Sequence, residues 1–400
     1  MKPIDKNIYL YYLFKILVSL EFFGPVIVLF WMSKGLLLSQ IMLLQSIFAF
    51  TAFLFEIPTG IIADKYSKKL SLILGSAATG FGFIIYGYGT NFYHFALAEI
   101  IIACGYAFNS GADQAFIFDS LRAQNKSVLF NRVEGKARGL SEIARSIAYV
   151  IGGLIGAFNL SFTFILSALV NWISSIVGIF FIEDKSTRSS IPENHPVTLL
   201  KQSIITIKSN HRILQLLLYF MIFNSVMWVP QFFIQPYFTQ LQIPLSAFGI
   251  LFALIVGSAS LGSFVAEKLE KKFSSRTFIL LIVISFSCLL LLGLFPSIYL
   301  LPLWGILFAT LVTNDIIVSN QLLPLIPQNK TATILSVKSL LRRLAYAIYG
   351  PLLGYLADIT TITTALILNS CIFIGLLFIV YLFNSRLINV SIHTDNEFSN

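Results

Sequence analysis

The sequence predicts an all-α integral membrane fold: twelve transmembrane helices in two pseudo-symmetric six-helix halves, with both termini cytoplasmic. Three observations carry that expectation. Hydrophobic side chains make up 57% of the 400 residues and charged ones only 11%, with a mean hydropathy of +0.84. Apolar runs of about 20 residues, the length that crosses hydrocarbon, recur between short polar breaks. Basic residues gather in alternate breaks.

An ordinary soluble domain has roughly 25% charged residues and about 45–50% apolar ones. A water-soluble fold cannot hide this excess of apolar surface, so a cytosolic enzyme, a disordered chain and a secreted disulfide scaffold are excluded. Cys104, Cys288 and Cys371 lie far apart inside apolar runs, which is neither a disulfide framework nor a metal site. His94, His195, His211 and His393 have no metal-binding spacing. No Gly-rich phosphate loop ending in Gly-Lys-Ser/Thr is present, so no ATP site is expected, and no cofactor or metal. Lys2 and Lys6 precede a long apolar stretch that contains Lys15 and Glu21 and has no small-residue cleavage site. It is read as a retained first span.

The expected spans are 8–31, 41–62, 70–89, 92–117, 138–159, 162–182, 212–237, 246–266, 276–295, 298–322, 333–356 and 361–383. Between the sixth and seventh lies the longest polar stretch, EDKSTRSSIPENHP and its flanks. The organisation is therefore an N-terminal half at 1–182, a cytoplasmic linker at 183–211, a C-terminal half at 212–383 and a cytoplasmic tail at 384–400. Pro230 and Pro236 are expected to kink span seven. Gly152, Gly153 and Gly156 in span five are expected to permit close helix approach.

Charge sets the orientation. With the N-terminus inside, the cytoplasmic breaks hold Lys65, Lys68 and Lys69, then Arg122 to Arg138, then Lys185 to Arg212, then Lys268 to Arg276, then Lys330 and Arg386. The opposite breaks hold Lys34 alone. This bias accounts for the net charge of +9, so it is read as topology and anionic-lipid contact rather than a nucleic-acid footprint.

Two segments repeat. Ala63-Asp64-Lys65-Tyr66-Ser67-Lys68-Lys69 follows span two, and Ala266-Glu267-Lys268-Leu269-Glu270-Lys271-Lys272 follows span eight. Arg145, Gly152 and Gly156 align at one constant offset with Arg343, Gly350 and Gly354. Duplicated halves are a construction of secondary transporters, with the solute site near the midplane between them.

Gly60-Ile-Ile-Ala-Asp64-Lys65-Tyr-Ser-Lys68-Lys69 resembles the signature loop between spans two and three of the major facilitator superfamily. Glu56-Ile-Pro58-Thr59-Gly60 and the segment from Gly105 to Arg122 are similar to a bacterial, drug-efflux-like subgroup of it. Ser67 stands where the signature usually has glycine. Glu99 lies near the position of a frequent span-four arginine, and Ala148-Tyr149 replaces a Gly-Pro pair. The resemblance implies that spans one, four, seven and ten line a central cavity.

From these residues the candidate sites follow. Gly60, Asp64, Lys65, Lys68 and Lys69, with Glu267 and Lys268 in the second half, are read as a conformational gate loop, the alternative being a tight polar turn. Ionisable groups inside spans cost about 2.5–3.5 kcal/mol on insertion scales and usually face protein or water. Glu21, Glu99, Asp113 and Asp315 are therefore candidates for binding a proton or a solute, with Glu21 foremost; a structural hydrogen-bonded carboxyl is the alternative. Helical spacing over one continuous span puts Glu99 and Asp113 on one face. Lys15 is expected to snorkel to the interface. Arg145, Arg342 and Arg343 are read as an intramembrane basic gate or as permanent packing ion pairs. Asn224, Trp228 and Gln231 in span seven, with Asn109 and Asn314, are candidate polar contacts.

The function expected is alternating-access movement of a small solute, foremost proton-coupled efflux of an amphipathic or cationic compound. Proton-coupled uptake of a metabolite is the runner-up, and a transport-inactive membrane sensor is the reading from another class. The partners expected are the solute, a coupling proton and lipid, with no nucleic acid. The chain is expected to be a monomer in a bacterial cytoplasmic membrane.

Overall fold

The computed structural model describes residues 3–183, 205–273, 276–327 and 330–383. Most of the expected linker and the whole expected tail, with Lys185, Arg188, Lys201 and Arg386, lie outside the described residues, as does Lys2. Among the described residues every regular element is helical. Nine helical runs among the described residues are long and apolar enough to cross a membrane. The chain divides into two compact units, one of residues 1–193 with 243–253, the other of 194–242 with 254–400.

In the first unit α1 is Pro3–Val18, α2 Ile27–Ser33, α3 Leu38–Lys65, α4 Lys68–Tyr88, α5 Phe92–Asn109, α6 Ala112–Arg122, α7 Phe130–Phe158 and α8 Leu160–Ile179. Short polar side chains start several of them. Ser67 accepts from the Leu70 N–H at 3.0 Å, Asn91 from Tyr93 and His94 at 3.1 Å, and Asn159 from Phe162 at 3.2 Å.

The expected continuous first span is instead broken. Pro25 has no N–H to donate, and the chain from Ser19 to Val26 turns through short local bonds, Gly24 N–H to the Glu21 carbonyl at 3.2 Å among them. A broken helix in lipid must satisfy its freed backbone groups internally. The Ser167 hydroxyl of α8 does so, accepting from the Phe22 N–H at 3.1 Å. The helix α7 lies directly on this break. A Cβ added to Gly152 would fall 1.8 Å from the Phe22 carbonyl oxygen, so only glycine fits.

Span four is broken as well. Gly111 takes φ +75°, a left-handed value that ends α5 and starts α6 in a new direction. The face shared by Glu99 and Asp113 on a continuous helix is therefore lost.

The second unit contains α9 (His211–Trp228), α10 (Ile234–Gln240), α12 (Ala259–Phe273), α13 (Arg276–Leu294), α14 (Pro302–Leu322), α15 (Thr331–Ile359) and α16 (Ile362–Phe383). The helix α11 (Leu245–Gly257) begins in the first unit, where a Cβ on Gly153 of α7 would meet the Gly249 nitrogen at 2.4 Å. The expected kink in span seven is real, and its chemistry is visible. Pro230 cannot donate to the Val226 carbonyl, and a 3₁₀ segment Val229–Phe233 replaces the α-helix there. The Asn369 side chain of α16 supplies the missing donor to that carbonyl at 3.2 Å, and Tyr349 of α15 donates to Asn369 Oδ1.

Apolar side chains such as Phe81, Ile173, Leu254, Phe264 and Ile348 stay exposed on these helices, as lipid-facing positions require.

Candidate functional site

The signature turn is a built structure. The helix α3 ends at Lys65, and Ser67 caps α4. Glu183, just beyond α8, accepts a hydrogen bond from the Ser67 hydroxyl and one from the Lys68 N–H at 2.7 Å. Its negative charge thus meets the N-terminus of α4, where unpaired N–H groups and the helix dipole favour an anion. Lys68 pairs with Asp119 of α6, and Lys69 donates to the carbonyls of Ile179 and Phe181 at 2.7 and 2.8 Å. Ser67 therefore adds what glycine lacks, a hydroxyl that accepts from the Leu70 N–H and donates to the Glu183 carboxylate.

Lys65 lies over the Tyr66 ring at 5.6 Å, and Asp64 is exposed with no ion pair among the described residues. A Cβ on Gly60 would meet nothing within 4 Å. The repeat-related residues are placed differently. Residues 266–272 do not follow a helix but form the last turns of α12. There Glu267 pairs with Lys271 at 2.6 Å on an exposed face, and Lys268 is exposed.

Glu21 lies in the break between α1 and α2. Tyr106 of α5 donates to its Oε1 at 3.1 Å, and Arg145 Nε of α7 is 3.7 Å from its Oε2. Arg145 makes its shorter bond, 2.6 Å, to Glu142 one turn earlier. One guanidinium therefore serves two carboxylates on different elements. Tyr149 of α7 packs its ring against Gly24 of the same break.

Lys15 does not snorkel. It pairs with Asp113 of α6 at 2.7 Å, and both side chains are largely buried, at 18% and 15% exposure. Beside them Tyr11 donates to Glu134 at 2.6 Å, and Arg138 pairs with the same carboxylate at 2.9 Å. This seam of α1, α6 and α7 contains Tyr11 and Glu134, which the sequence reading missed. Only the four-residue spacing in α7 of Glu134, Arg138 and the following Glu142 hinted at a charged face.

Glu99 is buried at 4% exposure. Gln45 of α3 and Tyr86 of α4 donate to its Oε1 at 3.0 and 2.6 Å. Around it the rings of Phe30, Tyr86, Phe95 and Phe164 pack with centroids 4.5–6.5 Å apart. No cation pairs with it among the described residues.

In the second unit Asp315 of α14 is held by a residue the sequence reading overlooked. Lys338 of α15 bonds to Asp315 Oδ1 at 2.8 Å and to Ser319 at 2.6 Å, with the Phe220 ring 4.2 Å away. Its position one helical turn before Arg342 was the available signal. Arg342 is half-buried and within electrostatic reach of Asp315 and Arg343, and Arg343 is half-buried beside it. The buried Asn224 donates back to the Phe220 carbonyl at 3.1 Å, which is a helix-internal bond.

A profile of the Major Facilitator Superfamily matches residues 13–348. The chain belongs to the major facilitator superfamily. This superfamily member is 21% identical over 278 residues to an uncharacterized MFS-type transporter, YxaM, of Bacillus subtilis (strain 168), covering 66% of each chain. It is 24% identical over 139 residues to Multidrug resistance protein 2 of the same organism, covering 34% of this chain and 32% of that one. The alignments thus span about two thirds or less of these curated relatives.

Among solved structures, a point mutant of the nucleoside transporter NupG matches with a TM-score of 0.79 at 16% identity, covering 93% of this chain and 98% of that one. A bacterial homolog of the human lysosomal transporter Spinster, inward-facing and unoccupied, matches at 0.68 and 15% identity, covering 96% of each. At such identities the likeness establishes the fold. The MFS chain is an integral multi-pass membrane protein and a transmembrane transporter.

Proposed function

We propose that the chain is a proton-coupled secondary transporter with twelve spans in two halves and cytoplasmic termini, exporting an amphipathic solute by alternating access. One observation carries the coupling: Glu21 lies in an unwound stretch of a membrane helix, and its cation, Arg145, is shared with Glu142. A proton arriving on Glu21 removes one of two claims on that guanidinium, so Arg145 relaxes toward Glu142. Breaking a helix at a charged group inside lipid is costly, and such groups mark proton and ion paths. The state-dependent contact is what an alternating machine requires.

The partial match to a multidrug resistance protein favours export of an amphipathic compound. A cationic solute loses support at Glu21 and Asp113, which each have a basic partner, and among the buried acids of the first unit keeps only Glu99, which has no cation among the described residues. Asp64 on the last turn of α3 remains the candidate gate of the signature loop, and the basic loops the contact with anionic lipid.

Inside-out vesicles under an imposed pH gradient test the reading. A panel of amphipaths of both charges, neutral antibiotics and metabolites is added to wild type and to Glu21→Gln. The expected result is gradient discharge by at least one compound with wild type and none with the variant. Equal discharge with both removes Glu21 from the coupling path. Discharge only when the metabolites are supplied in the uptake direction replaces export with uptake.

A further inference from the structure

The cluster around Asp315 has a charge imbalance that the transport reading does not use. Lys338 is 5% exposed, and its ammonium donors are committed to Asp315 Oδ1 at 2.8 Å, the Asp315 carbonyl at 3.2 Å and Ser319 Oγ at 2.6 Å. Arg342 lies one turn further along the same face of α15. It is half-buried and within reach of the Asp315 charge, and it makes no hydrogen bond or ion pair among the described residues.

One carboxylate, already held by Lys338, therefore stands beside two cations, with Arg343 a further one within electrostatic reach of Arg342. Asp315, Lys338 and Arg342 together carry one net positive charge. A guanidinium offers five donors in a planar fork. A fork left without an acceptor inside a membrane domain is half of a recognition site. The Asp315 side chain is 46% exposed, so the cluster is open on that side.

The geometry points to Arg342 as an oxyanion-recognition group that binds a carboxylate or phosphate in bidentate fashion, with Lys338 and Asp315 fixing its helix face. This rests on the transport reading and narrows it: the amphipathic solute carries an oxyanion. The same chemistry is offered by a phospholipid headgroup, which approaches the same fork. Asp315 acts as a competitor for the arriving anion, because its negative charge lies within reach of Arg342.

Calorimetric titration of the full chain in phosphatidylcholine nanodiscs tests the assignment, with phenylphosphate, benzoate and phenyltrimethylammonium as probes. The two oxyanions are expected to bind and the cation not. Arg342→Gln is expected to weaken oxyanion binding at least tenfold, Arg342→Lys to fall between, and Asp315→Asn to tighten it several-fold.

A second arm uses discs containing phosphatidylglycerol. If the headgroup is the natural occupant, that lipid weakens phenylphosphate binding to wild type and raises its thermal midpoint, and the rise is lost in Arg342→Gln. If the solute is, binding is the same in both discs. Equal binding by wild type and a folded Arg342→Gln overturns the assignment, and so does a folded wild type that binds neither oxyanion in either disc. Should Arg342→Gln not fold, Arg342→Lys carries the same comparison. Oxyanion binding without proton movement in vesicles overturns the coupling and leaves this site standing. Proton movement driven by the cation, without oxyanion binding, does the reverse.

Discussion

Glu183 accepts a hydrogen bond from the backbone N–H of Lys68 at 2.7 Å, tying the segment just beyond α8 to the start of α4. The Ser67 hydroxyl donates to the same carboxylate. The arrangement joins a charge-assisted bond to a helix N-terminus, which favours anions. Glu183→Ala is expected to destabilise the protein by about 1–2 kcal/mol. Ser67→Ala and Ser67→Gly both lose the hydroxyl donated to Glu183, and the cap itself adds about 1 kcal/mol for alanine but only a few tenths for glycine. Thermal unfolding in nanodiscs checks all three. An unchanged midpoint in Glu183→Ala makes this contact ornamental.

Asn369 replaces the hydrogen bond that Pro230 cannot make, and this gives a double-mutant cycle. Asn369→Leu in the wild-type background leaves the Val226 carbonyl without its donor and strands Tyr349, at a cost of about 1–3 kcal/mol. Pro230→Ala restores an N–H that can reach Val226 in an α-helix. In that background Asn369→Leu is expected to cost less, with a coupling of about 1 kcal/mol. Strictly additive midpoints show that Asn369 does not act through the kink.

The helices were legible in the sequence because lipid imposes long apolar runs, and observed ends such as Arg276–Leu294 fall within a residue of the expected 276–295. The kink at Pro230 was legible because proline cannot donate to the preceding turn, whereas Pro25 carries the same signal in span one and the sequence reading missed that break. The break at Gly111 was not legible, because glycine is common in membrane helices and only its φ of +75° marks a turn. Pairings were beyond reach. Lys15 and Asp113 are 98 positions apart, and each alone looks like a residue seeking water. Lys338 stands in a Ser-Val-Lys-Ser stretch with no acid nearby in sequence, although its spacing from Arg342 carried the signal.

Lys15 and Asp113 form an ion pair with little solvent on either side, so removing one partner strands the other. Asp113→Asn is expected to cost about 3 kcal/mol, at the lower end for buried pairs because both groups keep some exposure. The double variant Lys15→Gln with Asp113→Asn is expected to recover much of that loss, since it removes both charges together. Unfolding midpoints of the two singles and the double give the interaction energy directly. A double variant no more stable than Asp113→Asn means that Lys15 finds water on its own, as the snorkelling expectation had it.

Close packing of α7 on the first break predicts a sharp contrast between two glycines of one helix. At Gly152 a new Cβ would fall 1.8 Å from the Phe22 carbonyl oxygen, which is backbone and has no rotamer to escape into. Gly152→Ala is expected to cost about 3 kcal/mol or more, by overpacking and by pushing apart the helices that hold Glu21 against Arg145. Gly139 lies in the same helix, and a Cβ there meets nothing within 4 Å. Gly139→Ala is therefore expected to be neutral or to stabilise by up to about 1 kcal/mol, because alanine loses less backbone freedom in a helix. Monodisperse yield and thermal midpoint separate the two variants. If Gly152→Ala folds as well as wild type, α7 does not rest on the break, and the Glu21–Arg145 distance that supports the coupling proposal loses its structural cause.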